Sequence, residues 1–429
     1  MSDAPPPTAR IPAIDRMRGL VMVLMASDHA SHAYYADGLM RDTAFFEGWD
    51  APLPSVPFLH RWLSHLCAPT FVFLAGASIA LAASRCKDRA ASRAFDRDLL
   101  LRGLLLIAIE LTFISAVWGP GFQTRFVGQV LWAIGAGMIA MVMLRRLPAR
   151  LTLALGLAIA AAYELPIAMA MAGNGSPDPS PGLAVVWLYS GGFGDGYAVA
   201  YPMLPWLAPM LIGHAFGSHL ARGGSALRIA IAGTVLGLGT WVAVKLGDGY
   251  GNLLMRGAHD SWLRWLQCSK YPPSLAFLGL ELGLCCAILV LLFVMDRRRR
   301  EPLDEHGASP PRPQPKVERR RYRGDQEGLG RSLGWGPPAY ESSRDATILR
   351  PTDPLLVLGQ TALFFYVLHI AILEGSGAAL TAWLGRDVVA GGLLRTWIAV
   401  LATVALLWPA GIWFRALRRR HPRSLLRLI

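Results

Sequence analysis

The residues best suited to do chemistry stand in the first apolar stretch, RMRGLVMVLMASDHASHAYY. Arg18 and His29 are eleven positions apart, and at 100° per residue this leaves them about 20° apart on one helical face. The same spacing spans roughly 16 Å of rise, so an arginine at the edge of a bilayer would put the histidine near its midplane. An arginine at a membrane boundary suits an anion such as a phosphate. A deep histidine suits a general base or a nucleophile. Asp28 precedes His32 by four residues, the spacing at which its carboxylate could accept from that ring, and Asp15 with Arg18 makes a similar local pair.

A second histidine-bearing stretch, LHRWLSHLCAPTFVFLAGAS, has Arg61 and His65 one turn apart. His65 falls roughly 9 Å below the opposite boundary, a depth within reach of His29. Ionisable residues inside membrane helices are costly and for that reason point to function. A single buried histidine is more economically explained as polar glue between helices. Two histidine-bearing helices plus Arg18 shift the balance toward chemistry. Glu110, Glu164, Glu281, Gln360, Tyr366, His369, Glu374 and His214 each fit a structural role when taken alone.

The elements that must hold these groups are membrane helices. The chain has 429 residues, 53% hydrophobic and 17% charged, with mean hydropathy +0.38. That profile is too apolar for a soluble protein of several domains. Apolar runs long enough to cross a bilayer lie near 16–36, 59–84, 98–118, 125–145, 149–171, 198–220, 226–246, 273–295, 354–375 and 388–416. An all-α, polytopic transmembrane bundle of about ten helices follows. Arg10, Arg16 and Arg18 ahead of an apolar run imitate a signal peptide, but Asp28, His29 and His32 interrupt it, which argues for an uncleaved first helix. Basic residues crowd alternate connections, at 85–97, 145–150, 222–228 and 297–300 and again at 418–423. By the positive-inside rule both termini face the cytoplasm, as an even helix count requires.

The resulting organisation is a cytoplasmic tail (1–15), eight helices (16–295), a disordered basic cytoplasmic loop (296–352), two further helices of the same domain (353–416) and a basic tail (417–429). The loop is rich in Arg, Pro, Gly and Ser and lacks apolar periodicity. The net charge of +13 is gathered between apolar segments, where anionic lipid accounts for it and nucleic acid does not. Five cysteines show neither CxxC spacing nor a zinc-type cluster, so no metal is expected. P-loop, dinucleotide-binding and HExxH motifs do not occur.

Five blocks, IDRMRGLVMVLMASDH, HRWLSHLCAPTFVFLAGAS, YPMLPWLAPMLIGHAFG, KYPPSLAFLGLELG and LGQTALFFYVLHI, run in order from residue 14 to 370. Together they resemble bacterial members of the heparan-alpha-glucosaminide N-acetyltransferase catalytic-domain family. The resemblance implies an acyltransferase of the inner membrane. It would move an acetyl group from cytoplasmic acetyl-CoA, without a metal, to an amine or hydroxyl of an extracytoplasmic glycan or related acceptor. The wider superfamily carries an Arg-x10-His arrangement that Arg18 and His29 match. The resemblance therefore makes His29 the first candidate for catalysis, as general base or transient acyl carrier, with His65 second and Asp28 beside them. Arg18 and Arg61 are the candidates for binding the cofactor. The histidine that the animal heparan enzyme carries in the loop between its first two helices has no clean counterpart here. Expected partners are acetyl-CoA, the acceptor and membrane lipid, and a homo-oligomer is compatible with all of them. The rival reading is a transporter or flippase for a small polar or lipid-linked solute, since broken helices and midplane polar groups also mark alternating-access sites. No internal repeat supports it.

Overall fold

The computed structural model describes residues 11–35, 54–121, 123–166, 169, 182–253, 261–305, 352–421 and 424–428. Its longer helices are α1 (Pro12–Tyr34), α2 (Ser55–Ala83), α3 (Arg89–Trp118), α4 (Val130–Leu144), α5 (Ala149–Ala162), α6 (Met203–Ala221), α7 (Ala226–Gly247), α8 (Leu275–Glu305), α9 (Pro354–Gln360), α10 (Ala362–Leu384) and α11 (Leu393–Arg420). Each of the ten apolar runs of the sequence holds a helix, the ninth being divided into α9 and α10 at Thr361. By length and composition six of them, α2, α3, α7, α8, α10 and α11, can cross a membrane. The protein is an all-α, polytopic membrane bundle. Large apolar side chains such as Leu236, Leu246, Trp383 and Trp413 are exposed on its outside, where lipid is their natural solvent.

Local sequence sets the ends and breaks. The Asp88, Ser225 and Asp353 side chains accept from the backbone N–H three residues on and cap α3, α7 and α9. Within α2 the helix is interrupted at His65 and Leu66, where Pro69 has no N–H to offer the His65 carbonyl. In α3, Glu110–Ile114 forms a π-helical turn, and the Ser115 hydroxyl donates to the Glu110 carbonyl at 2.9 Å. The Glu110 carboxylate accepts from Gln129 N at 2.8 Å and Leu131 N at 3.1 Å, and so caps α4. Three short strands that the apolar periodicity does not announce, β1 (Phe126–Gly128), β2 (Gly192–Gly194) and β3 (Tyr197–Val199), form a sheet in the order β1-β3-β2. β3 is parallel to β1 and antiparallel to β2.

Helix α1 occupies the middle of the bundle, packed by α2, α8, α9, α10 and α11. Its approach to α9 is backbone to backbone: a Cβ on Gly19 would stand 2.0 Å from the Leu355 carbonyl oxygen, and one on Gly359 would stand 1.8 Å from that of Asp15. Small residues permit such contact, which in lipid replaces the hydrophobic drive for helix association. Arg16 joins the start of α1 to α8 through Asp296 and to the N-cap of α9 through Asp353 at 3.0 Å. At the same end of the bundle the Arg418 guanidinium, near the close of α11, donates to the Gln360 carbonyl at 3.2 Å. The first and last helices thus begin and end together at an arginine-rich end. α8 continues helically to Glu305, beyond residue 296 where the sequence suggests a loop, because the four arginines 297–300 and Glu301 are good helix formers. Residues 306–351, most of the expected basic loop, lie outside the described residues, as do residues 1–10.

Candidate active site

His29 lies on the buried face of α1, four turns along from the arginine-rich end, and is 8% exposed. Its Nδ1 is 2.8 Å from Nε2 of His369 on α10, and His369 Nδ1 is 2.9 Å from the Phe365 carbonyl oxygen one turn back. Trp118, at the end of α3, meets the His29 ring edge to face with centroids 4.9 Å apart, and the Trp118 indole donates to Glu374 at 2.8 Å. The Tyr366 ring stands 6.0 Å from that of His29. Helices α1, α3 and α10 therefore make a wall of aromatic and imidazole rings around one histidine.

Asp28, next to His29, takes Arg61 Nη1 at 2.5 Å and the Ser64 hydroxyl at 2.8 Å, and not His32, whose side chain is exposed. A guanidinium reaching across from α2 offers full charge and a fixed donor fork, which a neutral ring on the same helix cannot match. Arg61 also reaches the Tyr271 hydroxyl at 3.3 Å, and Tyr271 in turn lies 3.5 Å from the Tyr201 hydroxyl. Arg61 is thus placed beside the histidines and not beside Arg18. His65 is buried at the break in α2 with its ring 5.7 Å from Phe277 of α8.

Arg18 stands about three turns of α1 away from this cluster. Its guanidinium holds Asp15 at 3.0 Å, the Gly359 carbonyl at 3.2 Å and the Ser78 hydroxyl at 2.9 Å. It also lines a cavity of about 560 Å³. Four arginines, Arg18, Arg85, Arg102 and Arg418, and two carboxylates, Asp15 and Asp98, stand at the arginine-rich part of that cavity. Met22, Phe71, Ala75, Leu106, Leu131, Ile134 and Leu363 give it an apolar length, and it reaches Tyr366. The Tyr366 hydroxyl is buried and has no hydrogen-bond partner among the described residues. A buried hydroxyl left unpaired carries a desolvation cost that a ligand can relieve. A cavity with a cationic mouth, an apolar shaft and a donor beside a histidine can hold an anionic head, a thin chain and a polarised carbonyl, in that order.

Sequence spacing places Arg18 and His29 on one face, and the structure has one lining the cavity and the other next to its Tyr366 end. His369, Tyr366 and Trp118 acquire their places only through folding, although His369 and Tyr366 fall within the block LGQTALFFYVLHI.

Comparison with protein-family models gives a match over residues 10–247, more than half of the chain, to the model described as heparan-alpha-glucosaminide N-acetyltransferase, catalytic. The match takes in the Arg18, His29, Arg61 and His65 region and the Pro-rich block of α6, and stops before the two blocks that supply Tyr271, Tyr366 and His369. No curated protein matches the chain.

Proposed function

Because the chain belongs to the heparan-alpha-glucosaminide N-acetyltransferase catalytic-domain family, a family of membrane acetyltransferases, we propose that it carries acetyl groups from acetyl-CoA to an amine or hydroxyl of a glycan or related acceptor. The observation that supports this most directly is the cavity running from four arginines to Tyr366, one ring away from His29. The arginines outnumber the local carboxylates four to two and suit the phosphates of coenzyme A. The apolar shaft suits the pantetheine arm, whose extended length is of the order of the roughly 16 Å rise between Arg18 and His29. With the arginine-rich end in the cytoplasm of an inner membrane, both chain ends lie on the donor side and the acceptor approaches His29 from the other.

In this reading the thioester carbonyl lies against Tyr366, whose hydroxyl donates to its oxygen as negative charge grows there. His29 removes the proton from the acceptor as the acceptor attacks the acetyl carbon. The C–S bond breaks, the coenzyme A thiolate leaves, and the proton on the imidazolium is available to it. If His29 instead takes the acetyl group first, the same atoms react in two steps and the kinetics become ping-pong. Asp28 and Arg61 hold the floor of the site, and His65, buried at the break in α2, is the second candidate for the base.

The test follows labelled acetyl from acetyl-CoA in membranes bearing the wild-type protein or His29→Ala, with lipid, glycan and protein fractions separated afterward. Label entering one fraction only when His29 is present is the expected result, and that fraction names the acceptor class. Equal labelling by the variant removes His29 from the mechanism. Absence of both acetyl-CoA binding and transfer in the wild type overturns the acyltransferase reading in favour of solute transport.

A further inference from the structure

We propose that His369 is a positioning residue that fixes His29 in the tautomer with the proton on Nδ1 and the lone pair on Nε2. The inference rests on the acyl-transfer reading above. The two imidazole rings are nearly coplanar, 10° apart, with centroids separated by 5.0 Å. With Nδ1 and Nε2 2.8 Å apart, this is an in-plane hydrogen bond between ring edges and not a face-to-face stack.

The direction of that bond is decided one step further along. A backbone carbonyl can only accept, so the 2.9 Å contact between His369 Nδ1 and Phe365 O requires the proton on His369 Nδ1. A neutral His369 then has its lone pair on Nε2, and His29 must donate from Nδ1. What remains on His29 is a basic Nε2, on the side of the ring away from His369. Without His369 the His29 ring could place its proton on either nitrogen, and the tautomer with Nε2–H cannot act as the base.

Burial explains why this partner is a histidine. His369 is fully buried and His29 nearly so, and a carboxylate in the place of His369 would bring a second negative charge to the depth where Asp28 already sits. The Asp28 charge is matched by Arg61 and is not directed at the His29 ring by any hydrogen bond among the described residues. A neutral ring orients His29 without that cost. When His29 takes the acceptor's proton at Nε2, its positive charge is shared through the Nδ1–H···Nε2 bond and on to the Phe365 carbonyl. No proton needs to cross between the rings.

The experiment compares His369→Gln and His369→Met in the full-length protein in membranes. The glutamine amide oxygen can take the place of Nε2 as acceptor, whereas methionine has comparable length and no such acceptor. The expected result is that His369→Met lowers kcat for acetyl transfer about 10²-fold with KM for acetyl-CoA unchanged, and that His369→Gln restores most of the loss. Full activity in His369→Met, or equal loss in both variants while acetyl-CoA binding persists, overturns the proposal. If His369→Met does not fold, ring-¹⁵N shifts of histidine in the wild-type protein, with the His29 signals assigned by subtraction of His29→Ala, decide the matter. Protonated Nδ1 and bare Nε2 support it, and the opposite pattern refutes it. Undiminished transfer by His29→Ala would remove His29 from the mechanism while acyl transfer itself stood, and absence of transfer in the wild type would refute the acyl-transfer reading; either leaves the tautomer measurement standing by itself.

Discussion

Removing either member of the Asp28–Arg61 pair should cost far more than removing both. The two side chains are 12% and 5% exposed and their closest atoms are 2.5 Å apart. With charge centres about 4 Å apart and an effective dielectric of about 20, the attraction is of the order of 4 kcal/mol. Asp28→Asn takes from Arg61 its Asp28 carboxylate, and Arg61→Met leaves Asp28 with the Ser64 hydroxyl and the weaker attraction of Lys270. Each single variant should lose about 3–5 kcal/mol. Asp28→Asn with Arg61→Met removes both charges of the pair, and its loss should fall well below that of either single change. The assay is thermal unfolding of the four purified proteins in one detergent, read by the fraction remaining monodisperse after heating, with acetyl transfer measured in parallel. A double variant that is stable and inactive would give Asp28 or Arg61 a part in the reaction beyond holding the floor of the site. A double variant no more stable than the weaker single would refute the argument that the pair is a matched buried charge.

The other expectations are simpler. Tyr366→Phe removes the unpaired hydroxyl at the end of the cavity and should lower kcat by about 10²-fold while acetyl-CoA binding, measured by stabilisation against heat, is retained; unchanged kcat would deny Tyr366 a role on the carbonyl. Gly359→Ala sets a methyl group 1.8 Å from the Asp15 carbonyl oxygen and must part α1 from α9, at a cost of about 1–3 kcal/mol or more, so a melting temperature equal to that of the wild type would show that the two helices do not meet as described.

The helices were legible because lipid imposes a length and a composition on every span, and each apolar run is bounded by arginines, prolines or glycines. The face shared by Arg18 and His29 was legible for the same reason, since both stand on one helix and helical geometry alone relates them. Residues brought together across the bundle were not. His369 is 340 positions from His29, and nothing in local periodicity says which face of α10 turns toward α1. The partner of Asp28 was misread as His32 because sequence shows the neighbour one turn away and hides a guanidinium arriving from another helix. The three short strands escape notice because three residues carry no period, and the extension of α8 past residue 296 escapes because arginine is as good a helix former as leucine. The break in α2 could have been found from Pro69, which removes one hydrogen bond at a known place.

Arg16 gives the long connection between α8 and α9 an unusual standing. One guanidinium grips Asp296 on the helix before it and Asp353 at the cap of the helix after it, so residues 296 and 353 are held together at a single tied point. The span between them has no distance to bridge. Its closure entropy grows only slowly with length, and residues could be added or removed there with little effect on how the helices assemble. The two parts of the chain are held as one body by charge and by the packing of α1 against α9, α10 and α11.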